Sequence, residues 1–281
     1  MIMRNIINDA LEKYVLSINN PSLRDAIKYS LLAGGKRIRP ILFLEVIKSY
    51  GLNHLDYIDI AISLELIHTY SLIHDDLPSM DNDSIRRGKP TLHIAYGEST
   101  AILAGDALLT DSFRLISSSL ILDSNIKTKL IEVLSEKTGS NGMIMGQMLD
   151  LASEGVELPL FDLDQMYEKK TSNLIVASLV MGAIVSDEKN TQLWSNLGFI
   201  LGLLFQIQDD VLEETLSVDI IGKTKSDTIR KKPTYVSILG LNETKMHILR
   251  LENEITKIIN KLKLFDSSLY QLILKIINRS N

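Results

Sequence analysis

Between positions 75 and 87 the chain sets four carboxylates and two arginines within thirteen residues: Asp75, Asp76, Asp81 and Asp83, then Arg86 and Arg87 ahead of Gly88. Carboxylates this close repel one another unless a cation lies between them. Adjacent arginines offer planar forks that match phosphate oxygens. The chemistry that suits such a stretch is a divalent cation bridging the protein to a phosphorylated ligand. Taken alone, the stretch reads equally well as a solvated loop of mixed charge.

A second acidic group lies far downstream, in Gln206-Ile207-Gln208-Asp209-Asp210-Val211-Leu212-Glu213. In a helix, Gln206, Asp209 and Glu213 fall on one side. The group follows the apolar run Leu197 to Phe205 directly, so its carboxylates end either at a buried site or at solvent. An oxygen-only donor set without cysteine or paired histidine suits Mg²⁺. Two acidic clusters on separate apolar helices strengthen the metal reading of each.

Basic residues are grouped as tightly. Gly34-Gly35-Lys36-Arg37-Ile38-Arg39-Pro40 sets three cations beside glycines that allow close backbone approach, a reasonable diphosphate grip. Lys169-Lys170-Thr171 adds cations with a hydroxyl. With Arg86 and Arg87 these imply more than one polyanion. His68 stands about two helical turns before Asp75; without an HExxH spacing it does not suggest zinc. Met143, Met145 and Met148 read as core, while Gln147 and Asp150 break that pattern and face either a polar cavity or solvent. The stretch Leu216 to Lys232, rich in lysine, reads as an anion lid or as a plain surface loop.

These residues need a scaffold, and the composition supplies one. The chain has 281 residues, 45% hydrophobic and 23% charged, with a net charge of −5 and no cysteine. The charge disfavours nucleic acid or an anionic membrane as partner. Disulfides, thiol catalysis and cysteine-held zinc are excluded. Neither a secretory h-region nor an apolar run of spanning length is seen, so a cytoplasmic, globular protein with no membrane insertion is expected.

Nearly every segment has helical periodicity, with glycines and prolines at the boundaries. Helices fit from Pro21 to Gly34, from Pro40 to Gly51 and from His54 to Leu77, where Pro78 ends the regular run. Others fit Thr100 to Ser119, Asn125 to Gly139, Gly142 to Ala152, Leu163 to Val185, Glu188 to Glu214 and Thr234 to Gly240. Glu243 to Lys263 and Ser267 to Ile277 read as a terminal hairpin of helices. One all-α domain of about ten helices, over residues 1–281, is expected.

The motifs then become recognisable. Asp75-Asp76-x4-Asp81 with Arg86-Arg87-Gly88 resembles the first aspartate-rich motif of bacterial short-chain isoprenyl diphosphate synthases. Gln206-x-x-Asp209-Asp210-x-x-Glu213 is similar to their second. Gly35-Lys36-Arg37-x-Arg39-Pro40, Gly105-Asp106, Gly146-Gln147-x-x-Asp150, Lys170-Thr171 and Gly222-Lys223 follow in the family's order, over about Ser30 to Gly240.

The resemblance implies an isoprenoid-synthase fold, all helices around a central cavity, and a homodimer. It implies condensation of isopentenyl diphosphate with dimethylallyl and geranyl diphosphates through an allylic carbocation. Three Mg²⁺ would be held by Asp75, Asp81 and Asp209, with Asp76 and Glu213 supporting them. Arg86, Lys170, Lys223 and Lys232 would contact the allylic diphosphate. Lys36, Arg39, His68 and Arg87 would hold isopentenyl diphosphate, and Thr171 and Gln206 would stand near the developing cation. Tyr70, fifth before the motif, with Ser71 beside it, would form a floor that stops growth at farnesyl diphosphate. Three departures stand out: Glu213 for the usual aspartate, Asn82 for a frequent aspartate, and Thr215-Leu216-Ser217-Val218-Asp219 without the usual Gly-Asp. Other readings are a geranyl or geranylgeranyl diphosphate synthase, a non-catalytic partner subunit that would lose an acidic motif, and a terpene cyclase that would need no second-substrate grip. The chain keeps both acidic motifs and the basic grip.

Overall fold

The computed structural model describes residues 2–215 and 232–278. Lys223, and with it the sequence-predicted anion lid up to position 231, lies outside the described residues. The all-α expectation holds: the strands among the described residues are a single two-residue pair. None of the described helices is long and apolar enough to cross a membrane.

The fold divides into two compact units. The first comprises Met1–Leu44 and Asn53–Ile131. It holds α1 (Ile2–Leu16), α2 (Pro21–Leu31), the start of α3 (Ile38–Ser49), a 3₁₀ turn at His54–Tyr57 and α4 (Ile58–Asp75). After these come β1 (Ile85–Arg86), β2 (Lys89–Pro90), α5 (Leu92–Tyr96), α6 (Glu98–Ser117) and the start of α7 (Ser124–Thr138). Asn20 caps α2 by accepting from the Leu23 N–H at 3.1 Å, with Pro21 in the first turn where its missing N–H costs nothing. α4 is apolar on nearly every side, as a central helix must be, and packs along α6.

The second unit comprises Glu45–Leu52 and Glu132–Asn281. It holds α8 (Met143–Ala152), α9 (Leu160–Tyr167), a π-helical turn at Glu168–Ser172, α10 (Asn173–Val185) and α11 (Thr191–Thr215). Helices Tyr235–Leu239, Leu241–Leu262 and Ser268–Ile277 complete it. The sequence predicts one helix from Leu163 to Val185. The structure instead begins at Leu160 and widens at Glu168–Ser172, where Lys169, Lys170 and Thr171 sit.

Close backbone approach explains that widening. A Cβ at Gly202 of α11 would overlap Ser172 Cα, and one at Gly146 of α8 would overlap the Lys170 backbone nitrogen. The turn that carries Lys170 and Thr171 therefore sits directly on two helix backbones, neither of which interposes a side chain. Single π turns inside helices recur at functional sites, since they re-aim side chains. Replacing Gly202 with alanine should overpack this contact. A loss of about 1–3 kcal/mol of unfolding free energy is expected, read by urea denaturation, with lower activity in the folded variant.

Candidate active site

The first acidic motif starts at the last residue of α4. Asp76 closes the helix through its N–H to the Leu72 carbonyl at 3.2 Å. Pro78 then turns the chain back on itself. Met80 and Asn82 both donate to the Leu77 carbonyl, and the Asp81 N–H donates to the Asp75 carbonyl at 2.8 Å. Asp75 and Asp81 are thereby joined through the backbone. Asn82 takes a left-handed φ of 50°, which a short polar residue tolerates better than most.

Asp76 is buried at 3% exposure and is engaged by Arg86. Arg86 Nε lies 2.8 Å from both carboxylate oxygens and Nη2 lies 2.6 Å from Oδ1, with Asp83 at 3.6 Å. Burial pulls the Arg86 pKa down, but the bonds to Asp76 and the charges of Asp76, Asp83 and Asp75 outweigh it and hold it above the ordinary value. Arg86 Nε and Nη2 are thus engaged by the motif's second carboxylate.

Arg86 and Arg87 belong to a hairpin that the sequence reading did not find. Ile85 pairs with Pro90 and Arg86 with Lys89, leaving Arg87 and Gly88 as a two-residue turn. Both have positive φ, 53° and 74°, as a type I′ turn requires. Only the Gly88 position signals this, since arginine is an unusual partner there. The turn sends Arg87 away from Asp76: its Nη1 donates to the Gly34 carbonyl at 2.5 Å, and its guanidinium lies over Gly35.

The basic stretch does not act as one grip of three cations. Arg37 points inward at 3% exposure, donating to Asn8 Oδ1 at 3.0 Å, Glu65 Oε1 at 2.5 Å and the Leu31 carbonyl at 2.7 Å. It ties α1, α2 and α4 together and is removed from the ligand set. Lys36 is exposed. Arg39 keeps its Nε buried with no hydrogen-bond partner among the described residues. Burial pushes Arg39 down to about 10, Glu65 opposing and Arg87 adding to the fall.

His68 lies in the field of these groups. Burial, then the charges of Arg39, Arg87, Arg86 and Arg37, hold its pKa well below 6.5, so the imidazole is neutral at pH 7. A neutral ring amid four guanidiniums can donate a hydrogen bond without adding charge. Two residues on, Tyr70 is 6% exposed, pushed up to about 12 by burial and the Asp75 charge. Ser71 Oγ donates back to the His68 carbonyl at 3.0 Å.

In the second unit, Thr171 Oγ1 donates to Gln206 Oε1 at 3.1 Å. Lys170 and Lys232 meet on one carboxylate that the sequence left open between cavity and solvent. Both ammonium groups lie 2.6 Å from Asp150 Oδ2, and Asp150 is only 5% exposed. Burial raises its pKa, but Lys170 and Lys232 win and hold it below the ordinary carboxylate value. The signal for this residue was its break in the apolar pattern of α8. The second acidic motif also separates into roles. Asp209 and Glu213 are half-buried on the side of Gln206. Asp210 turns inward, accepting from Tyr167 Oη at 2.8 Å and the Tyr235 N–H at 2.9 Å, and so braces the residue just before the π turn.

A family model described as "Polyprenyl synthetase" matches residues 20–269. A farnesyl diphosphate synthase of Micrococcus luteus is 45% identical over 98% of this chain and 95% of its own length. One of Bacillus subtilis is 40% identical over 96% and 93% respectively. A crystal structure of a geranyltransferase from Helicobacter pylori, complexed with magnesium and isoprenyl diphosphate, superposes with a TM-score of 0.81 at 39% identity, covering 97% of this chain and 93% of that one.

Asp150→Asn should take from Lys170 and Lys232 the buried carboxylate they share, leaving Lys232 with Glu154 at 3.9 Å, and cost on the order of 1–3 kcal/mol of stability at pH 7. Because the Asp150 pKa is depressed in the fold, its contribution is full above the ordinary value of 3.8 and is lost as pH falls through the lower folded value. The gap between wild type and variant, followed by denaturant unfolding, should therefore close in acid below that value.

Proposed function

The chain belongs to the polyprenyl synthetase family, and from that premise we propose that it is a prenyltransferase making (E,E)-farnesyl diphosphate. It condenses isopentenyl diphosphate with dimethylallyl and then geranyl diphosphate, head to tail. The observation that carries the reading is the pairing, on and beside α4, of a carboxylate couple with a cluster of guanidiniums around neutral His68. The family match runs through both units, which supports taking 1–281 as one polyprenyl synthase domain.

Mg²⁺ fits the first motif: its donors are carboxylate oxygens, and the Asp81–Asp75 backbone bond draws the two ligand residues together. Asp75 and Asp81 would hold it there and Asp76 would support them through its bond with Arg86; the resemblance implies three ions in all, with Asp209 as a further ligand. When bound, Mg²⁺ supplies Lewis acidity toward the leaving diphosphate.

The remaining roles fall to the chain itself. Arg39, with its unpartnered buried Nε, joins Lys36, His68 and Arg87 in holding the isopentenyl diphosphate. Lys170 and Lys232, preset by Asp150, meet the allylic diphosphate together with Arg86 and Lys223. As the allylic C–O bond breaks, these cations stabilise the charge that gathers on the departing oxygens. The alkene then attacks the allylic carbon, forming the new C–C bond, and the proton lost from the adjacent carbon passes to the released diphosphate. Thr171 and Gln206 turn oxygen dipoles toward the cation. Tyr70, large and buried on an apolar helix, serves as the floor that ends growth at fifteen carbons, with Ser71 beside it. A homodimer and a cytoplasmic location belong to the same reading; exposed Ile94, Ile102 and Leu103 in the first unit support the assembly.

Incubation with dimethylallyl and isopentenyl diphosphates and Mg²⁺ should give a C15 diphosphate; no turnover, or a cyclised hydrocarbon, refutes the proposal. Chelation of Mg²⁺ should stop the reaction and its return should restore it. Asp75→Ala should lower turnover by at least roughly a hundredfold. Tyr70→Ala should carry the product to C20, and unchanged C15 output would sink the floor.

A further inference from the structure

Tyr70 is held in place by little else than its neighbours' shape. Among the described residues its hydroxyl has no hydrogen-bond partner, and its ring contact is with His74, one helical turn on. The two ring centroids lie 5.7 Å apart with the planes at 80°, an edge-to-face contact. A helical aromatic has two open χ1 wells, so a buried ring without a polar anchor takes its position from whatever packs beside it.

His74 is itself pinned from α6. Its Nε2 lies 3.1 Å from the Ile102 carbonyl, and a carbonyl only accepts, so Nε2 carries the hydrogen. The ring rests against Gly105, where a Cβ would overlap its imidazole atoms, and Asp106 Oδ1 lies 4.0 Å from Nε2. The order of constraint runs from the α6 backbone to His74 and from His74 to Tyr70. Gly105 is needed because no side chain fits between the α6 backbone and that imidazole.

We propose that His74 is a positioning residue for Tyr70 and, through it, a determinant of product chain length. The inference rests on the reading of Tyr70 as the floor. Without the imidazole edge, the tyrosine ring gains its second rotamer and the growing tail gains room for a further five-carbon unit.

The test is the C20-to-C15 product ratio, measured by chromatography of the dephosphorylated alcohols, for Tyr70→Ala, His74→Ala, His74→Gln and the double variant Tyr70→Ala/His74→Ala. The glutamine keeps an N–H for the Ile102 carbonyl but removes the ring edge. Both His74 variants should raise the ratio by roughly two- to tenfold, the range one aromatic edge contact supports. Tyr70→Ala should raise it further, and the double variant should match Tyr70→Ala alone, because His74 acts through the ring that is gone. A ratio needs only residual activity, so partial misfolding of His74→Ala leaves it readable, and His74→Gln is the milder change. If Tyr70→Ala lengthens the product while neither His74 variant does, or if the double variant exceeds it, the role of His74 is overturned and the floor stands. If Tyr70→Ala leaves C15, floor and positioning residue fall together.

Discussion

A carboxylate or guanidinium taken out of water costs several kcal/mol unless an opposite charge meets it with good geometry. Both units bury such groups and pair them. Arg37 meets Glu65 at 2.5 Å inside the first unit, and Arg86 meets Asp76 beside the first motif. Asp150 meets Lys170 and Lys232 in the second. These pairs do more than compensate burial. Each fixes the direction of a charged side chain on elements that also carry reactive groups, which fixes the field those groups feel. His68 is the clearest result: burial first, and then the charges of Arg39, Arg87, Arg86 and Arg37, hold its imidazole neutral.

The same economy of space operates in the backbone. The π turn at Glu168–Ser172 is possible because Gly146 and Gly202 let two helices lie directly on it. Gly105 does the same for the His74 ring between α6 and α4. At each place the absent side chain is what brings a functional group to its position. Protein interiors are close-packed, so a methyl group added there has nowhere to go.

α4 concentrates these constraints. It supplies Glu65 to the Arg37 pair, His68 to the cation cluster, Tyr70 and His74 to an aromatic edge contact, and Asp75 to the start of the first acidic motif. Because one rigid helix carries all of them, their spacing along its axis is set by helical geometry and needs no loop to define it. Tyr70 and Asp75, on the same helix, keep a constant separation along its axis.

Much of this was legible in the chain itself. Apolar periodicity marks the long helices, because burial of a helix face is written into residue spacing. The acidic motifs and Lys170-Thr171 stand out in the chain because like residue types crowd together there, whereas Tyr70 is singled out only by the resemblance. What the chain left open was decided by partners distant in sequence. Arg37, adjacent to Lys36, is drawn inward because Glu65 and Asn8 lie across from it. Asp150 could have met solvent, and is instead the meeting point of lysines from positions 170 and 232. Asp209 and Asp210 are neighbours of which Asp209 is half-buried and Asp210 buried, held by Tyr167 and the Tyr235 N–H. Sequence fixes which charges exist and how they repeat along each helix. Which of them face a ligand, and which are spent on the fold, depends on what lies opposite, and only tertiary packing determines that.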